Sequence, residues 1–152
     1  MTRLGALLDA DGNLLAAITK PLRALLDVGF SADGRYAVLA GSYVANNLTS
    51  GALVVLDAQS GQFIYPTQIL TGSGMLLSLT FHPTAPRLAT VAEDKTIRLW
   101  EIATGKPTTL LTHTTALVKI HYSADGQTLY HRPTRDYLRP NCGTMPDLLS
   151  WM

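Results

Sequence analysis

Four histidines are the residues of this chain most able to hold a metal ion, because neutral imidazole is a common metal ligand. They are His82, His113, His121 and His131. None of them belongs to an HExxH pattern, and the single cysteine, Cys142, leaves no cysteine pair to complete a zinc site. We therefore expect no metal site and no bound cofactor.

Two other patterns could in principle support catalysis. The stretch TGSGM contains Gly72, Ser73 and Gly74, but it lacks the third glycine of a dinucleotide site, the lysine of a phosphate loop and the GxSxG spacing of a nucleophile. Asp94 and Asp136 could pair as acid and base, yet both fall at turns of successive repeats, where residues normally serve architecture. We therefore predict no catalytic residues and a protein that is not an enzyme.

The composition limits the partners and the compartment. With a net charge of +1 and only 15% charged residues, the chain lacks the concentrated lysine and arginine that nucleic-acid binding requires. Its longest apolar runs are strand-sized, well short of the roughly 18 residues of a membrane helix. One cysteine, Cys142, is typical of a reducing compartment. We expect a cytoplasmic protein that binds neither nucleic acid nor membrane.

An aromatic residue followed by a polar turn recurs three times and indicates a repeat of strand, turn and strand. The turns begin at Phe30 (FSADG), Phe81 (FHPTAP) and Tyr122 (YSADG), at intervals of roughly 40 to 50 residues, as in propeller blades. A second marker, an acidic residue before a glycine turn, recurs out of phase with the first. It lies around Gly12, Gly61 and Gly105. The runs AVLA and LVVL do not alternate apolar with polar residues, so both faces of their sheet should be covered.

Residues 70–113 carry the most specific pattern in the chain. Asp94 is followed six residues later by Trp100 and then by Glu101, within the string KTIRLWE. This segment resembles one blade of the WD-repeat β-propeller family, with Asp94 as the family's turn Asp and Glu101 in place of the Asp of its Trp-Asp pair. The resemblance extends more loosely over residues 4–137. It implies an all-β fold, a partial β-propeller of four-stranded antiparallel blades.

Members of this family hold each blade together with a histidine, a strand hydroxyl, a turn aspartate and the tryptophan indole. In the strong repeat the histidine position is Ser73 and the hydroxyl position is Ala92, whereas in the last repeat Cys142 stands at the tryptophan position. The earliest repeat departs furthest, and its YVANNLTSG segment reads as a long loop. The resemblance assigns the structural signature to Asp94, Trp100, Glu101, His113 and Asp136.

The repeat also predicts where the blades lie. We expect a partial propeller over residues 1–137, followed by a non-repeat tail over 138–152. Its parts are a half blade at 4–18, blades at 22–65 and 74–110, and a half blade at 115–131. That is about three blade equivalents, whereas closed propellers usually have about 4 to 8 blades. Either two copies complete one ring as a homo-oligomer, or the chain is a fragment of a larger propeller.

The resemblance implies a non-catalytic scaffold that binds protein partners. Family members often present the residue before the turn aspartate to a partner, and those residues here are Glu93 and Arg135. Arg132, Arg135 and Arg139 form a basic cluster that could grip an acidic partner. The alternative is a fragment of a propeller enzyme or of a haem-binding propeller with its active site in missing blades. This alternative is based on the strings GRYAVLAGSYV and GALVVLDAQSGQ, which also resemble segments of such propellers.

Overall fold

The computed structural model describes residues 5–18, 22–65, 69–134 and 143–146, and these residues form strands and turns without a helix. The strands make four antiparallel sheets, within each of which neighbours in the chain are paired. The first and second sheets contain β1 (Gly5–Leu8) and β2 (Leu14–Ile18), then β3 (Ala24–Phe30), β4 (Tyr36–Ala45), β5 (Leu48–Asp57) and β6 (Ile69–Ser73). The third and fourth contain β7 (Leu76–Phe81), β8 (Arg87–Ala92), β9 (Thr96–Glu101) and β10 (Lys106–Thr112), then β11 (Leu117–Tyr122), β12 (Thr128–Pro133) and β13 (Gly143–Pro146).

The sheets pack face to face, with an apolar cluster between each neighbouring pair. In the second sheet, Val38 and Ala40 lie in the cluster shared with the third sheet, whereas Ala37 and Leu39 lie in the cluster shared with the first. This explains why the AVLA run lacks alternation, because both of its faces are buried. A further cluster joins the third and fourth sheets, and β7 lies between β3 and β11. The predicted all-β fold and partial β-propeller are confirmed.

Short polar turns connect the first two strands of the full sheets. In the second sheet, Ser31 Oγ donates to Asp33 Oδ1 at 2.6 Å and accepts from the Tyr36 N–H at 2.8 Å. In the third sheet His82 occupies the position of Ser31, and its Nδ1 accepts from the backbone N–H groups of Thr84 and Ala85. His82 therefore holds a turn.

The YVANNLTSG segment is not the long loop that the sequence suggested. It is the end of a regular hairpin, because β4 and β5 stay paired up to Ala45 and Leu48. Asn46 and Asn47 have φ values of 50° and 62°, and a two-residue hairpin turn of type I′ requires positive φ at both central positions. The ends of β4 and β5 therefore form a two-stranded ribbon that extends beyond β3 and β6.

Two strand positions differ from the blade boundaries that the repeat suggested. The fourth strand of the second sheet is Ile69–Ser73, which lies beyond residue 65, the expected end of this blade. Within the expected range, Leu56 and Phe63 form an isolated bridge. Inside the expected tail, Gly143–Pro146 pairs with β12 as a third strand. This strand covers the edge of β12 to which a strand pair from a second copy would have to bind.

Candidate interaction surface

Trp100 anchors the interior of the third sheet. Its side chain is 2% exposed, and its indole N–H donates to Thr90 Oγ1 at 2.9 Å. Leu88 lies directly opposite Trp100 in the β8–β9 register, so Thr90, two residues further along β8, shares the same face. The assignment of the hydroxyl position to Ala92 was therefore wrong, because the register places Thr90 within reach of the indole.

Asp94 lies in the turn between β8 and β9 and is held by two neighbours. Its Oδ1 accepts from the N–H and the hydroxyl of Thr96, at 3.1 and 2.6 Å, and its Oδ2 accepts from Arg98 Nη2 at 2.7 Å. Partial burial by itself would raise the pKa of Asp94, but these hydrogen bonds outweigh it and lower the pKa below its usual value. A Cβ on Gly72 would lie 3.6 Å from the same guanidinium nitrogen. Arg98 therefore replaces the expected histidine as the partner of Asp94.

Glu93 lies at the rim of the third sheet, one residue before Asp94, and its side chain is exposed. Its Oε2 accepts from the Met75 N–H at 3.0 Å, and its own N–H donates to the Met75 carbonyl at 3.0 Å. On its other side, the Lys95 carbonyl accepts from the His113 N–H at 2.8 Å. The β6–β7, β8–β9 and β10–β11 connections therefore form one continuous rim.

The sequence of this region matches a known repeat. The family model described as "WD domain, G-beta repeat" matches residues 64–101, which include Thr90, Asp94 and Trp100. The chain carries a WD repeat. In space this WD repeat spans two sheets, because β6 pairs with β5 in the second sheet whereas β7, β8 and β9 belong to the third. The WD repeat therefore ties neighbouring blades together.

A curated relative supports the same assignment. Over 64 residues the chain is 42% identical to WD repeat-containing protein 90 of Xenopus tropicalis. The match covers 42% of this chain and 3% of the length of that protein. The chain therefore corresponds to a small part of this WD-repeat relative.

The fourth sheet has a histidine at the strand position that Thr90 occupies in the third sheet. His131 takes the place of Thr90, because each lies two residues after a buried leucine near the start of its strand, Leu129 or Leu88. The rings of His113 and His131 meet edge to face, with centroids 5.1 Å apart. The ring of His113 therefore contacts the side chain that takes the place of Thr90. Asp136 and Cys142 lie outside the described residues.

The stability of the fold should depend on pH through His131. Burial, and to a smaller extent the charge of nearby His113, lowers the pKa of His131 below 6.5. Between the two pKa values the unfolded chain binds a proton that the folded chain does not, so the free energy of unfolding should fall as pH decreases below about 6.5. Urea unfolding at pH values of about 7.5 and 5.5, on either side of 6.5, measures this change. His131→Thr, which restores the residue type of Thr90, should flatten the dependence, and an unchanged slope in this variant would contradict the assignment.

Glu101 lies at the opposite end of β9 from Glu93. Its carboxylate is exposed and accepts from the Thr104 hydroxyl at 3.3 Å, and its carbonyl accepts from the Gly105 N–H at 2.9 Å. These contacts stabilise the turn into β10. Arg135, the other residue proposed from the sequence to bind a partner, lies outside the described residues.

The innermost strands share a polar contact that sequence reasoning missed. Asp27, Ser78 and Lys119 each lie three residues before the aromatic residue that ends β3, β7 or β11. Asp27 Oδ2 accepts from Ser78 Oγ and from the Leu79 N–H, both at 2.9 Å, and lies 3.4 Å from Lys119 Nζ. One carboxylate thus links three blades.

Within the described ranges, no group of three or more His, Cys, Asp or Glu residues is placed to hold a metal ion. The same part of the chain has no helix with the length and apolar character needed to cross a membrane.

Proposed function

We propose that this chain is a non-catalytic protein-interaction scaffold of the WD-repeat type, with partner contacts on the rim that contains Glu93. WD repeats generally mediate contacts between proteins. One observation supports the proposal most directly. The side chains of Asp94 and Trp100, the most specific residues of the repeat, both form hydrogen bonds within the blade, so neither is free to bind a partner. Glu93, one residue before Asp94, is exposed at the rim.

The apolar face of β3 supports the idea that further blades complete the scaffold. Val28 and Phe30 are 51% and 53% exposed, although Leu39 and Ala37, directly opposite them on β4, are buried under the first sheet. The corresponding face of the third sheet, which includes Leu79, is covered by the second sheet. Such a patch is normally covered in a soluble protein. We propose that propeller strands cover it, supplied by a larger propeller or by a second copy.

Capture of proteins from a cell extract tests the scaffold role. The purified chain is compared with Glu93→Gln and Glu101→Gln, which replace two exposed glutamates, one in the turn before β9 and one at the far end of β9. Each Gln keeps an acceptor for its local hydrogen bond, so the thermal midpoint should not change. We expect Glu93→Gln to reduce the recovery of particular proteins several-fold and Glu101→Gln to leave it unchanged. A copy of the chain with a different tag, added to the extract, measures self-association in the same experiment.

Two results would contradict the proposal. Equal recovery with both variants would exclude the rim around Glu93 as the contact surface. Failure to recover the second tagged copy would exclude completion of the fold by self-association and leave the larger propeller.

A further inference from the structure

The outer face of the fourth sheet is polar and exposed. In the β11–β12 register, Lys119 lies opposite Arg132 and His121 lies opposite Tyr130, and all four side chains are exposed. Ile120 lies between Lys119 and His121 on β11. Its side chain points to the opposite face and is buried against the third sheet. These four residues are called the cationic face below.

The same face of β3 and β7 is built differently. Counted from the aromatic residue that ends each strand, His121 corresponds to Gly29 and Thr80. A Cβ on Gly29 would lie 2.5 Å from Leu79 Cδ1 in the next sheet, and Thr80 Oγ1 accepts from the Tyr122 N–H at 3.3 Å. At this spacing there is no room for an imidazole, so His121 could not lie beneath a blade packed like the others.

The second strand of each sheet leads to the same conclusion. On this face β4 presents Val38 and Ala40, and both are completely buried. The corresponding residues of β12 are Tyr130, which is 40% exposed, and Arg132, which is exposed. Burying a charged side chain without a partner is costly, so this face is not suited to an apolar blade interface.

The two cations of this face lie directly opposite each other, which is destabilising for like charges on neighbouring strands. Lys119 Nζ is 3.4 Å from Asp27 Oδ2, but that carboxylate oxygen already accepts two shorter hydrogen bonds. The side chain of Arg132 makes no hydrogen bond or ion pair with any residue that the structure describes. A carboxylate placed between Lys119 and Arg132 would relieve the repulsion and pair the free guanidinium.

We propose that the cationic face binds an acidic, extended segment of a partner protein. One carboxylate of the segment lies between Lys119 and Arg132, and the side chain two residues away packs on Tyr130 and His121. Because side chains of an extended peptide alternate, every second residue would face the sheet. The proposal rests on the scaffold role and assigns a partner class to a surface separate from the Glu93 rim. Nucleic acid is the weaker candidate, since two cations on a chain of net charge +1 supply few phosphate contacts.

Fluorescence anisotropy with labelled peptides tests the proposal on the full chain. The probe is a short peptide in which Glu alternates with Thr, and the control peptide has Gln at each Glu. We expect the Glu peptide to bind more tightly than the Gln peptide and to lose affinity as ionic strength rises. Arg132→Gln should weaken Glu-peptide binding about tenfold, the size of a charge-assisted hydrogen bond. Arg35→Gln removes the same charge from an exposed turn of the second sheet and should leave binding unchanged.

His121→Asn serves as a second variant on the same face, in case Arg132→Gln alters the fold, and circular dichroism checks both. The proposal is overturned if neither peptide binds, or if Arg35→Gln weakens binding as much as Arg132→Gln, since net charge would then explain the attraction. It is also overturned if a single-stranded oligodeoxynucleotide binds more tightly than the Glu peptide and loses affinity in Arg132→Gln. None of these results bears on the rim, which the Glu93 variants test separately.

Discussion

Trp100→Ala is expected to lower the free energy of unfolding by about 3–5 kcal/mol, the usual cost of deleting a large buried aromatic side chain. The indole lies in the cluster between the second and third sheets, together with Val38, Leu53 and Leu88. Its loss would leave a cavity at the interface between two blades. Because whole domains are stable by only about 5–15 kcal/mol, this variant should be largely unfolded at moderate urea concentrations. Urea titration followed by circular dichroism measures the change.

A double-mutant cycle separates the hydrogen bond from the packing. Thr90→Val keeps the shape of the side chain but leaves the indole N–H without its acceptor in a buried site, which should cost about 1–3 kcal/mol. Trp100→Phe removes the N–H and leaves the Thr90 hydroxyl without its donor. The combined variant should lose less stability than the sum of the two single variants, because the second change removes the group that the first left unpaired. Losses that add within about 0.5 kcal/mol would mean that the two side chains are not coupled.

The repeat of aromatic residue and polar turn was enough to predict the first two strands of three sheets. Phe30, Phe81 and Tyr122 each end a strand, and each is followed by a turn and a second strand. The lack of alternation in AVLA also predicted sheets that are covered on both faces. These features depend on local chain geometry and on the periodicity of burial, both of which are written in the sequence. The short strand Gly143–Pro146 carries no such marker, and it was not predicted.

The side-chain partners were harder to predict because they depend on register. Ala92 and Thr90 lie on the same face of β8, so choosing Ala92 identified the correct face and the wrong position, an error of about 6–7 Å along the strand. The role of Arg98 was missed because the family pattern assigns the contact with the turn aspartate to a histidine at the position of Ser73, although any buried donor can satisfy a carboxylate. The Asp27 contact had a signal, since Asp27, Ser78 and Lys119 share one repeat position. That they touch depends on how three sheets stack, which no single strand encodes.

The packing of the first sheet on the second can be tested at a glycine. Gly61 has a φ of 70°, and a Cβ there would lie 2.6 Å from the Leu15 carbonyl oxygen of β2. Gly34 has a φ of 69°, but a Cβ there would meet nothing within 4 Å. Alanine at either position should cost about 1 kcal/mol for the left-handed backbone. Only Gly61→Ala also forces two backbone segments apart, which should add about 1–3 kcal/mol.

The difference between Gly61→Ala and Gly34→Ala therefore measures how tightly the β1–β2 hairpin is held, because the backbone strain is common to both. In Gly61→Ala the hairpin should move away from the second sheet and expose Leu7 and Leu22, which are buried between the two sheets. Hydrogen exchange should become faster in β1 and β2 of this variant and stay unchanged in β7 to β9. Equal losses of stability in the two variants, with unchanged exchange in the hairpin, would show that the first sheet is not packed on the second as a blade.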